Sequence, residues 1–117
     1  MEKEGRQIMT KSRYSTIFVT VPSEEEANSI TKKLLEEKLV ACVNIIPKVN
    51  SYYWWKGKIE FSKELLLIIK TESRLINKII SKVKSLHSYT VPEIISLPIT
   101  NGNKDYLNWV TDSVSSK

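Results

Sequence analysis

The sequence predicts an α+β fold, with strands and helices in the order β-α-β-β-α-β plus a C-terminal helix, the ferredoxin-like split βαβ arrangement. Three observations carry this. Two segments repeat apolar residues at helical spacing, Ala27, Ile30, Leu34 and Leu35 in one and Leu75, Ile76, Ile79, Ile80 and Val83 in the other. Between them, Ser51-Tyr52-Tyr53-Trp54-Trp55-Lys56-Gly57-Lys58-Ile59 reads as the apex of a long hairpin, with Gly57 supplying the positive φ of a tight turn. The run Leu65-Leu66-Leu67-Ile68-Ile69 is continuously apolar, the pattern of a strand covered on both faces.

Residues 1–12 are polar and without a period, and are expected to be a disordered extension before a single domain over 13–117. Tyr14 to Val21 is β-branched and aromatic, a strand ended by Pro22. Ser23 and Glu26 form a capping box, Glu24 and Glu25 suit the positive end of the helix dipole, and this first helix is expected to stop near Lys38. The first hairpin arm starts at Ala41, and Pro47 predicts a bulge or edge position because it has no N–H to give a ladder. The return arm runs from Lys58 to Lys70. In the second helix Lys78, Lys82 and Lys84 take the wet side. Glu93 to Ile99 is the last strand, and Asn103 to Val114 a short helix presenting Tyr106, Leu107 and Val110.

Arms of this length span roughly 40–45 Å at strand rise. A compact domain of this size is only about 35 Å across. Successive residues of an extended chain alternate sides, so the four aromatics put rings on both faces of the ribbon. Helices on one face of the sheet leave the other open, and burying each large apolar side chain is worth about 1.5–3 kcal/mol. Packing on neighbouring copies in a closed symmetric oligomer is the expected resolution. Tyr52, Tyr53, Trp54, Trp55 and Trp109 are its expected interface anchors.

Composition narrows the function. The 117 residues are 41% hydrophobic and 26% charged, ordinary for a globular chain, and the net charge of +5 is interleaved by sign in Lys32, Lys33, Glu36, Glu37 and Lys38. That is a solvated helix face, not a nucleic-acid stripe. Lys56-Gly57-Lys58-Ile59-Glu60-Phe61 starts like an RNA-recognition signature but places Lys58 where an aromatic belongs, so nucleic acid is not an expected partner. No run is long enough for a membrane span, and Met1 to Arg13 has no apolar stretch of a secretory signal, so a cytoplasmic protein without membrane partners is expected. Three glycines, at 5, 57 and 102, cannot build a P-loop or a dinucleotide fingerprint, and no hydrolase or zinc-protease motif occurs. Neither an enzyme nor an organic cofactor is expected.

A few residues could carry chemistry. Cys42 is either a small buried hydrophobe or, as thiolate, a soft ligand for copper. His87, in the loop before the last strand, is either a neutral imidazole ligand or a cap on the preceding helix. Glu93 could be a ligand or a strand-start carboxylate, and Lys70 could orient an anion or snorkel. One Cys and one His are too few for a strong site in one chain, because a tetrahedral site usually wants four ligands. Copies meeting at an interface would multiply them.

Several strings resemble one family in order and over essentially the whole span from Tyr14 to Val114: Ala41-Cys42-Val43-Asn44-Ile45, Tyr53-Trp54-Trp55-Lys56-Gly57-Lys58-Ile59, Leu67-Ile68-Ile69-Lys70-Thr71, Val91-Pro92-Glu93-Ile94-Ile95 with Leu97-Pro98-Ile99, and Tyr106-Leu107-Asn108-Trp109. The chain resembles the CutA divalent-cation tolerance proteins. The resemblance implies a ferredoxin-like subunit in a homotrimer built by its long hairpins, a role in divalent-metal tolerance, and copper or another divalent cation as ligand. Cys42, His87 and Glu93 are then the expected metal residues. The alternative is a trimeric signalling or scaffold module holding a small ligand between subunits, with Lys70 and Tyr89 beside His87 and Glu93 in the cleft. One departure stands out. The family shows His-Pro-Tyr where this chain has His87-Ser88-Tyr89, and losing proline is expected to loosen that loop.

Overall fold

In a computed structural model, which describes residues 12–116, the chain forms β1 (Tyr14–Val21), α1 (Glu24–Glu36), β2 (Cys42–Trp55), β3 (Lys58–Glu72), a 3₁₀ turn (Ser73–Leu75), α2 (Ile76–Leu86), β4 (Ile94–Ile99) and α3 (Lys104–Ser113). The strands make one antiparallel sheet in the order β2-β3-β1-β4. The expected extension lies outside the described residues except for Ser12, whose Oγ donates to the Ile99 carbonyl at 2.6 Å and so ties the start of the chain to β4.

Alternation along the strands decides the layers. Ile17, Val19 and Val21 of β1 stand opposite Ile69, Leu67 and Leu65 of β3, and this face packs on Ala27, Ile30 and Leu34 of α1 and Ile79 and Val83 of α2. The other face carries Phe18, Leu66, Ile68, Ile46, Ile95 and Leu97, half-buried or exposed in the single chain. The continuous apolar run of β3 is therefore covered on one side only.

Helix ends follow local chemistry. Ser23 Oγ accepts the Glu26 amide at 3.1 Å, half of the expected capping box. The Glu26 carboxylate turns instead toward the loop after α2, accepting the Ser88 amide. The helix ends at Glu36, two residues before the expected stop: Lys38 takes a left-handed φ of 55°, and the Lys38 and Leu39 amides donate to the Leu35 and Leu34 carbonyls, a Schellman closure with lysine in the usual glycine place.

The hairpin turn is the residue pair Lys56-Gly57, with φ of 53° and 80°, inside a Trp55–Lys58 closing pair, as a type I′ turn requires. The predicted irregularity at Pro47 is present: the pairing jumps from Ile46–Leu66 to Val49–Glu64, so Pro47 and Lys48 together oppose Leu65, and Lys48 has φ of 63°. This extra residue switches the parity of β2. Before the bulge Cys42, Asn44 and Ile46 share the open face; after it Val49, Ser51, Tyr53 and Trp55 do. The molecule is broad and flat, 41 × 40 × 24 Å with a radius of gyration of 15.4 Å. A compact chain of this size would have about 13 Å.

The helix α3 is held at the other end of the open face. The Glu72 carboxylate is buried and accepts from Arg13 Nε at 2.9 Å, Arg74 Nε at 2.8 Å and Thr111 Oγ1 at 2.8 Å, while Thr111 Oγ1 lies 2.7 Å from Tyr14 Oη. Val110 and Val114 enter the core beside this network. Burial alone would raise the Glu72 pKa, but the hydrogen bonds from Thr111, Arg74 and Arg13 override it and hold the carboxyl below its ordinary 4.5. A depressed folded pKa contributes stability above the unfolded value and loses it as pH falls through the folded one. Glu72→Gln is therefore expected to cost about 2 kcal/mol near pH 7, and progressively less as the pH falls below the ordinary 4.5 of the unfolded carboxyl toward the lower folded value. Urea unfolding at pH 7 and pH 3.5 checks this; an equal cost at both pH values would contradict it.

Candidate functional site

β1 ends at Val21 opposite Leu65, so the outer part of β3 has β2 on one edge and no strand on the other. The segment from His87 to Glu93 runs beside that gap. His87 fixes it. The His87 side chain is buried, with Nε2 2.8 Å from the Thr20 carbonyl oxygen and Nδ1 accepting the Tyr89 amide at 3.0 Å. This pattern assigns a neutral ring with its proton on Nε2. Glu26 Oε2 lies 3.3 Å from Nδ1 and accepts the Ser88 amide at 2.9 Å. Proline has no N–H, so Ser88 gives the loop a tie to α1 that a His-Pro-Tyr sequence could not make. The expected loosening thus meets an opposing contact.

Tyr89 then reaches β3. Its ring packs on His87 with centroids 4.8 Å apart, and its hydroxyl donates to Glu64 Oε2 at 2.8 Å. Burial, the Glu64 hydrogen bond and the charge of Glu64 push the Tyr89 pKa upward, which keeps the phenol protonated. Glu64 is only 6% exposed. Because the bulge turns Tyr53 and Trp55 to the Glu64 side, these groups line a groove of about 640 Å³ with Val91 and Glu93. Tyr53 Oη is fixed 2.6 Å from Ser62 Oγ.

A second polar group lies at the far end of the sheet. Cys42 stands opposite Lys70; Asn44 Oδ1 accepts from Lys70 Nζ and lies 3.8 Å from Cys42 Sγ. Burial, together with the neighbouring Cys42, raises the pKa of Tyr106. Cys42 is half-buried, not a core residue.

The anticipated residues thus separate. Tyr89 and Glu93 line the groove, with His87 buried behind Tyr89, whereas Cys42 and Lys70 belong to the other cluster. Among the described residues no group of three or more His, Cys, Asp or Glu is placed to hold a metal ion. His87 has both nitrogens engaged; Glu93 is exposed at the groove rim. Tyr52 and Trp54, 73% and 72% exposed, occupy one ribbon face with Phe61, whose ring is 4.9 Å from that of Tyr52; Tyr53 and Trp55, at 40% and 45%, occupy the other. Trp109 is exposed on α3, 5.4 Å from the Tyr106 ring. Glu64, Glu26 and Thr20 were missed. Only Glu64 left a signal, an acid placed directly before an apolar strand run.

This geometry defines a small α+β protein with one bare apolar sheet face and its polar groups in two separate clusters, without a chelating cage in the described part of the chain. The chain belongs to the family described as CutA1 divalent ion tolerance protein, whose profile matches residues 15–113. It is 50% identical over 97 residues to the divalent-cation tolerance protein CutA of Thermus thermophilus, covering 83% of this chain and 94% of that one. The structure of CutA1 from Oryza sativa superposes with a TM-score of 0.88 at 42% identity, covering 92% of this chain and 99% of that one. A structure described as the periplasmic divalent cation tolerance protein CutA from Archaeoglobus fulgidus gives 0.85 at 46% identity, covering 87% and 99%. Among the described residues no helix is long and apolar enough to cross a membrane.

Proposed function

We propose that the chain works in divalent-metal tolerance as a cytoplasmic homotrimer of ferredoxin-like subunits, binding copper or a similar divalent cation weakly where copies meet. The observation that carries this reading is the uncovered apolar face, with Ile46, Ile95 and Leu97 exposed beside Phe18, Leu66 and Ile68, continuous with an aromatic ribbon. A monomer rarely leaves such a patch bare. A closed symmetric assembly covers it with the same face of other copies. Membership of the CutA1 family supports the tolerance role. The reading assigns no reaction to the site.

Metal selection follows from donor chemistry. Cys42, on the open face, offers sulfur that favours copper. Glu93 offers an exposed carboxylate, and His87 offers nitrogen only after giving up the Tyr89 amide or Thr20. Calorimetric titration with copper is therefore expected to show weaker binding in Cys42→Ala than in wild type, by about tenfold or more, which is about 1.4 kcal/mol. Unchanged binding in Cys42→Ala would remove this cysteine from the site. The other reading, a trimeric scaffold holding a small ligand, draws on the groove at Tyr89.

A further inference from the structure

The groove between the outer hairpin and the Tyr89 segment combines three features. Its walls are aromatic, from Tyr53, Trp55 and Tyr89, and its charged lining residues are the carboxylates Glu64 and Glu93, with no Lys or Arg. This holds although the chain carries a net +5. The Glu64 side chain is nine-tenths buried, yet its contact is the neutral Tyr89 hydroxyl; no Lys, Arg or His among the described residues forms an ion pair with it. A buried carboxylate is costly unless paired, and one neutral hydrogen bond leaves lone pairs and charge uncompensated. Lastly, the Trp55 ring already attracts an ammonium: Lys56 Nζ stands 5.8 Å from its centroid.

We infer that this groove is a binding site for a small organic cation, an amine or guanidinium carried on an apolar stem, with Glu64 pairing the N–H groups and Tyr53 and Trp55 stacking on the stem and charge. The assignment rests on the small-ligand reading of this groove and not on the metal reading, whose sulfur donor, Cys42, lies at the other end of the sheet. Volume agrees, since about 640 Å³ lies within the usual range for small-ligand sites. Charge selects the class: an anion would meet two carboxylates, and a neutral alcohol would leave Glu64 uncompensated. A planar guanidinium suits a carboxylate especially well because it can donate two parallel N–H bonds.

Agmatine, which carries both a guanidinium and an ammonium, is the probe, and 1-butanol is the uncharged comparison. Calorimetric titration of the full-length protein is expected to show saturable agmatine binding below about 10 mM, weakened by about tenfold or more in Glu64→Gln, which keeps an acceptor for Tyr89 but removes the charge. Trp55→Leu at the groove rim, where the ring is 45% exposed in the single chain, is expected to weaken binding as well. The inference is overturned by absence of saturation in wild type, by equal agmatine affinity in folded Glu64→Gln, or by 1-butanol binding as tightly as agmatine. Should Glu64→Gln fail to fold, undiminished binding in Trp55→Leu overturns it.

Discussion

Ile68→Asp is expected to convert the proposed homotrimer to single chains. Ile68 sits in the middle of the open face, opposite Phe18 on one side and Asn44 on the other, and does not contribute to the core beneath the helices. An aspartate there would remain in water in the isolated subunit. In the assembly it would be buried against apolar neighbours, with the nearby Lys70 ammonium already bonded to Asn44, a cost of roughly 3 kcal/mol per subunit. Association constants multiply such terms over three copies, so dissociation at micromolar concentration follows. Lys84→Asp, on the exposed side of α2, reverses a charge without touching the open face and is expected to leave the mass unchanged. Sedimentation velocity of both variants checks the pair. A trimeric Ile68→Asp would show that the assembly, if it forms, does not use this face.

His87→Ala is expected to be the most destabilising change near the groove, by about 3 kcal/mol. Removing the ring empties a buried volume and leaves the Thr20 carbonyl and the Tyr89 amide without their partners. The loop loses its anchor to β1 and is left with the Ser88–Glu26 and Tyr89–Glu64 bonds. Tyr89 should then swing away from Glu64, exposing its ring. Urea unfolding at a fixed protein concentration measures the loss. His87→Gln, which can restore one donor, is expected to recover part of it. A cost under about 0.5 kcal/mol in His87→Ala would return this residue to the role of a free ligand, since only a side chain without structural work could be removed so cheaply.

Local chemistry made much of the fold legible. Ser23 marked the start of α1, Gly57 the turn of the ribbon, and Pro47 the bulge, each through a backbone constraint that acts within a few residues. Strand and helix boundaries moved by one or two residues: β4 starts at Ile94 and not Glu93, β2 at Cys42 and not Ala41, and α3 begins after Asn103, whose side chain caps it. The candidate site was harder to read because its contacts cross the chain. His87 meets Thr20 over 67 residues and Tyr89 meets Glu64 over 25, distances at which periodicity carries no information. The parity switch at Lys48 matters most. Alternation alone assigns Tyr52 and Tyr53 to opposite faces, but which of them joins Glu64 depends on one left-handed residue that no composition rule places at a lysine.

That switch also separates two tasks along one ribbon. Tyr52 and Trp54 are the most exposed aromatics and share a ribbon face with Phe61 and Ile59, whereas Tyr53 and Trp55 share the Glu64 face; all four residues border the groove. A ribbon carrying rings on one side only could serve an interface or a groove. This one can serve both, because alternation puts rings on both faces and the bulge sets which pair meets Glu64.

The most direct test of the account is the solution mass of the purified chain, by multi-angle light scattering near neutral pH. The proposed homotrimer predicts three times the mass of one chain, with no single-chain species at micromolar concentration. A peak at the mass of one chain, stable across a tenfold dilution and with Trp54 and Trp55 still open to solvent, would contradict it.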